Sequence, residues 1–134
     1  MALQLSVAVR NAQADSLETA IGTAPRLQLR TGAAPANCAA ASTGTLLADL
    51  DLASDWLGAA ASGVKTMSGT ITEPAVGTGT AAHFRVMDSA GTTCHMQGTV
   101  TATGGGGDAI VDNTSLVSGQ NVTLQSLSYT RGNA

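Results

Sequence analysis

The chain has 134 residues, a net charge of −3 and only 11% charged residues. Six basic residues against nine acidic ones leave no electrostatic footprint for nucleic acid and no polybasic patch for a membrane surface. No apolar run approaches the ~20 residues that span a bilayer, and the N-terminal segment lacks a basic region followed by a continuous apolar core, so export is not expected.

One domain is expected at this length. The hydrophobic fraction of 43% is largely alanine, and the chain holds one Trp, one Tyr and one Phe. Burying a large aliphatic side chain is worth roughly 1.5–3 kcal/mol and alanine much less. A thin core in a small domain calls for help from a partner, a sister subunit or a crosslink.

Ser6 to Ile21 reads as a helix, with Ala14, Leu17, Ala20 and Ile21 on one stripe. Ser6 is the expected N-cap and Gly22 the residue past the C-terminus. The stripe is narrow, so Ala14, Leu17 and Ile21 are the expected contact with a partner or sister subunit. Residues 1–24 form the expected helical arm and 25–134 the β domain.

After Pro25 the pattern alternates, with Leu27 and Leu29 opposed to Gln28 and Arg30. Thr31 to Thr43 is a loop carrying Cys38, and Thr45 to Leu52 is a strand. Ser54 to Leu57 reads as a short helical turn that delivers Trp56, first as a plug for the core and second as an interface anchor. Val64 to Thr72 alternates again, and a Pro/Gly loop runs from Glu73 to Thr80.

The segment Ala81 to Thr101 is the most informative. A three-residue loop, Ser89-Ala90-Gly91, pairs Asp88 with Thr92 and puts a glycine where a left-handed residue belongs. Val86 then faces Cys94 and Phe84 faces Met96, while Arg85 faces His95 and His83 faces Gln97. One face is apolar and the other polar, as in a sheet with one buried and one wet side. Thr103 to Asp108 is a flexible glycine-rich tip, and Ala109 to Leu116 and Asn121 to Thr130 are two further strands. Leu124 and Leu127 are out of phase, which predicts a bulge near Gln125. About seven short strands with turns between them predict an all-β fold: an antiparallel β-sandwich, jelly-roll-like, with an N-terminal α-helix.

No catalytic constellation is visible. His83 and His95 share the polar face as solvent-facing side chains, and no third ligand completes a metal site. Cys38 and Cys94 allow one disulfide, tying the long loop to the hairpin for roughly 2–4 kcal/mol in an oxidising setting, with two reduced thiols expected in a reducing one. Gly104 to Gly107 lacks the Lys-Ser/Thr of a phosphate loop. Asp49, Asp51 and Asp55 read as solvated carboxylates, and no Gly-x-Ser-x-Gly elbow exists. Asn113 and Asn121 open glycosylation sequons, which carry meaning only on export. No cofactor is expected.

The run from Leu27 to Pro35, the phrase from Thr43 to Ala48, the hairpin HFRVMDSAGTTCHMQGTVT and the segment DNTSLVSGQNVTL resemble small structural proteins of tailed bacteriophages and prophages. This resemblance is one of sheet pattern and turn phrases and covers most of the chain. It implies a non-enzymatic virion protein assembled in the bacterial host cytoplasm, a capsid decoration or cement subunit. Its implied partners are the major capsid protein or other virion proteins, with self-association into a homo-oligomer. A collar, neck or tail component is the neighbouring role, and a host receptor or glycan-binding module is the rival of another class.

Overall fold

A computed structural model describes residues 3–132. Helix α1 (Val7–Ile21) is followed by strands β1 (Arg26–Arg30), β2 (Leu46–Asp51), β3 (Val64–Thr66), β4 (Ile71–Pro74), β5 (Gly79–Thr80), β6 (His83–Met87), β7 (Cys94–Ala102), β8 (Ala109–Val111), β9 (Ser115–Leu116) and β10 (Asn121–Thr130). The protein is predominantly β with one N-terminal helix, as its patterning predicts. The expected all-antiparallel sandwich is not what the strands build. They form one curled, mixed sheet in the order β2-β1-β6-β7-β8-β10-β3, with β4 beside β3 along the same edge of β10. β5 and β9 form a separate two-stranded ribbon.

The curl brings the two ends of the sheet together. The main-chain N–H of Asp51 in β2 donates to Glu73 Oε2 of β4 at 3.2 Å. Past β4, the N–H groups of Val76 and Gly77 both donate to the Leu47 carbonyl. The concave side holds the core. Leu50, Leu27, Val86 and Met96 form one cross-strand row, and Ala48, Leu29, Phe84 and Gly98 the next. Val100, Ala109, Val111, Val122, Leu124 and Leu127 continue the same cluster. A Cβ on Gly98 would stand 2.9 Å from the Phe84 ring, so the ring lies directly across this glycine.

The parallel step is local. β7 ends at Ala102 and β8 begins at Ala109, yet Ala109 lies beside Val100, with the two strands running the same way. Parallel neighbours ordinarily need a crossover of a dozen or more residues. Here the glycine-rich tip doubles the chain back. Gly104 and Gly106 have φ of +87° and +75°, in the left-handed region. A Cβ on Gly105 would fall 2.5 Å from the Thr101 Cβ, and one on Gly107 would fall 2.9 Å from its Oγ1. The Gly107 N–H donates to Thr101 Oγ1 at 2.9 Å, and Asp108 Oδ2 accepts from the Thr99 N–H at 3.1 Å. The expected flexible tip is thus a packed return.

Other boundaries shift for local reasons. Gly69, with φ of +76°, breaks the expected strand into β3 and β4. The segment Ser54 to Leu57 is a bend and a β-bridge to Met67 in place of a helical turn. The expected bulge in β10 is present, as a register shift between Leu124 and Ser126. In the central hairpin Asp88 pairs with Thr93 across a four-residue loop, and a second irregularity follows between Val86 and Met87. Phe84 consequently faces Gly98 and Val86 faces Met96, two positions from the expected register. An even shift keeps Phe84, Val86 and Met96 on the core side, but the irregularity moves Cys94 off the apolar face expected for it: it lies opposite Met87, and its sulfur meets Arg85 on the outer face. Asp88 explains the longer loop, because its carboxylate accepts the N–H groups of Thr92 and Thr93 and the Thr92 hydroxyl.

Ser6 caps α1 through its hydroxyl, which accepts the Val9 N–H at 3.3 Å, and Gly22 closes the far end with φ of +93°. The helix is docked on the sheet. Lys65 Nζ of β3 reaches Asp15 at 2.8 Å and Glu18 at 2.7 Å, and the Gly63 N–H donates to Asn11 Oδ1. Burial disfavours the Lys65 charge, but the two carboxylates outweigh it and raise the ammonium above its ordinary value.

Candidate functional site

The outer face of β1, β2, β6 and β7 is polar, as the alternation predicts, but along β6 it is not wet. All five residues of β6 are buried. The loop between β1 and β2 folds back over this face as a strap. From Gly32 to Gly44 the strap carries no charged side chain. That composition suits a segment lying on protein, and it is a signal present in the sequence.

Arg85 is the hub, with 1% of its surface exposed. Its Nη1 donates to Ser42 Oγ at 2.7 Å. Its Nη2 donates to the carbonyls of Cys38 at 2.8 Å and Ala40 at 3.0 Å. Its Nε donates to Cys94 Sγ at 3.3 Å. No carboxylate pairs with it among the described residues. A guanidinium offers five N–H donors in a fixed fork, and here they replace water with strap carbonyls, a hydroxyl and a sulfur.

Two side chains beside Arg85 repeat the pattern. Gln97 Nε2 donates to the Pro35 carbonyl at 2.7 Å. His83, 2% exposed, joins its Nδ1 to the Gly32 carbonyl at 2.8 Å. A carbonyl only accepts, so Nδ1 carries the proton. His83 is therefore not the solvent-facing residue expected, while His95 is exposed, and the two do not form a common site. Among the described residues no group of three or more His, Cys, Asp or Glu is placed to hold a metal.

Cys38 and Cys94 are brought together. Both thiols are free and half-buried. Burial, then a hydrogen bond to Cys94, pushes the Cys38 thiol up to about 11, against a smaller opposing pull from Arg85. Cys94 Sγ also donates to the Met96 carbonyl at 3.4 Å. An open cavity of about 430 Å³ is lined by the strap from Cys38 to Ser42, by Arg85 and Met87, and by Thr92 to Cys94. Its chemistry is that of a dithiol beside a guanidinium already engaged by protein.

The other singled-out residues lie elsewhere. Ala14 and Ile21 are buried and Leu17 packs against the core, so the stripe expected to meet a partner faces this chain's own sheet. Trp56 is 1% exposed and its Nε1 donates to the Gly22 carbonyl at 3.2 Å, pinning the end of α1 over the core. Asp49 and Asp51 both pair with Arg26, each at 3.2 Å. Burial raises the Asp49 carboxyl against the pull of Arg26. Asp55 is exposed in the loop before Trp56. No helix among the described residues is long and apolar enough to cross a membrane. Comparison with known proteins finds no matching family model, no matching curated protein and no matching solved structure.

Proposed function

We propose that this chain is a non-enzymatic structural subunit of a tailed-phage virion, binding the capsid surface as a decoration or cement protein. The curled sheet is then an open relative of a jelly-roll-like sandwich. Phage context rests on the resemblance of the turn phrases. The observation that carries a structural role is the start of the arm. Leu3, Val7 and Val9 are 81%, 49% and 45% exposed, while the rest of α1 is docked on the sheet. Large apolar side chains exposed near the start of the helix suit coverage by another protein surface. Small contacts of this kind add up when repeated on a symmetric lattice.

A glycan-reading module is disfavoured by a specific feature. Such sites present aromatic faces, whereas Trp56 and Phe84 are buried and Tyr129 is half-buried. The test is to mix the purified protein with expanded empty capsids of a tailed phage. Stoichiometric binding that raises the capsid melting temperature, and is lost on Val7→Ser with Val9→Ser, supports the cement role. Absence of binding to shells ends it. Binding to collar or tail assemblies moves the subunit along the particle, and binding to host cells alone favours the receptor class.

A further inference from the structure

We propose that Cys38 and Cys94 are a redox-modification site, closing to an intramolecular disulfide that locks the strap onto the β6–β7 hairpin. This goes beyond the structural role above and does not depend on it.

Three observations converge. The two cysteines line one cavity and both contact Arg85, although 56 positions separate them in sequence. They belong to different elements of the fold: Cys38 rides on the strap, and Cys94 opens β7. Both line one open cavity of about 430 Å³, which gives a small reagent access. Arg85 holds both partners at once. It donates to Cys94 Sγ at 3.3 Å and to the Cys38 carbonyl at 2.8 Å, so the backbone that carries one sulfur is anchored by the side chain that touches the other.

The oxidant is a low-molecular-weight disulfide. Cys94 sulfur, solvated by the guanidinium N–H, attacks as thiolate and forms a mixed disulfide, releasing one small thiolate. Cys38 then loses its proton and attacks the Cys94 sulfur, releasing the second. Two protein thiols give up two protons and two electrons in all, and the reagent leaves as two thiols. Arg85 keeps its bonds to Ser42 and to the two strap carbonyls throughout, so the strap is already seated when the covalent bond forms. Closure of so long a loop restrains strap opening without altering the sheet.

Reduced full-length protein titrated with oxidised glutathione provides the test. The expected result is an intact mass lower by two hydrogens, no retained glutathione and a peptide crosslink joining Cys38 to Cys94. Two retained glutathionyl groups, disulfide-linked dimers or an unmodified protein would overturn the proposal. Cys38→Ser is expected to trap one glutathionyl group on Cys94; an unmodified Cys94 there removes the assigned order of attack. Thermolysin cleavage within residues 32–44 of the wild-type chain needs no variant. It is expected to slow by about tenfold or more on oxidation and to recover on reduction, and equal rates in the two states would refute the lock.

Discussion

Arg85 and Ser42 stand 43 residues apart in the chain and meet at 2.7 Å, guanidinium to hydroxyl, beneath the strap. The Arg85 guanidinium and His83 Nδ1 on the outer face of β6 meet strap atoms in this way, in place of solvent. The strap is therefore a structural layer, and its anchor is one side chain. Arg85→Met keeps most of the volume but leaves the Cys38 and Ala40 carbonyls and the Ser42 hydroxyl without their donor. A loss of about 2–4 kcal/mol is expected, since several bonds to a charged donor fail together. The denaturant midpoint measures it, and protease cleavage confined to residues 32–44 identifies the strap as the part released. Ser42→Ala removes one bond and should cost about 1 kcal/mol.

The glycine tip makes a second, position-specific prediction. Gly105 and Gly107 pack against Thr101, whereas Gly104 has open space around it and needs only its left-handed φ. Gly105→Ala forces a Cβ into the Thr101 side chain and is expected to cost about 1–3 kcal/mol. Gly104→Ala costs about 1 kcal/mol from backbone strain alone. Amide exchange at Ala109 to Val111 separates the two, because only the first variant pushes β8 off β7.

Alkaline unfolding reports on Lys65. Its folded value lies above the ordinary 10.5, so the native state holds the proton more tightly than the unfolded chain does. The ion pair with Asp15 and Glu18 therefore contributes fully below about pH 10.5 and is lost as pH rises through the folded value. Lys65→Met should abolish this part of the alkaline slope. Glu18→Gln and Asp15→Asn should each flatten it partly, and melting temperatures between pH 9 and 12 follow the effect.

Trp56 is the sole tryptophan and lies within the core, so its emission reports this one place. Blue-shifted fluorescence that moves red in a single unfolding transition is expected. Trp56→Phe should cost about 1–2 kcal/mol, from the lost bond to Gly22 and the smaller ring. Trp56→Ala should cost about 3–5 kcal/mol and free the C-terminal turn of α1.

Local chemistry made much of this legible. Ser6 and Gly22 bracket the helix, Gly91 takes the left-handed turn position, and the phase slip between Leu124 and Leu127 marks a true bulge. Alternation put Phe84 and Val86 on the core side even though the register of the hairpin differs by two. What alternation cannot convey is what lies over the opposite face. Arg85 and His83 are polar, and polarity alone reads as contact with water. Their partners are main-chain carbonyls of Gly32, Cys38 and Ala40, which any sequence would supply. The parallel return at β8 was hidden for a similar reason, since a glycine run reads as slack until Thr101 is seen to fill the space beside it. The stripe of Ala14, Leu17 and Ile21 was legible as a buried surface, but its partner is the chain's own sheet.

The meeting of β2 with the turn after β4 bears on how copies of this molecule can associate. With Leu47's carbonyl already taken by Val76 and Gly77, that rim offers a neighbour little free main chain to extend. A contact between copies along this margin would therefore be read in side-chain fit more than in added strands, and a variant that frees the Leu47 carbonyl would remove that bias.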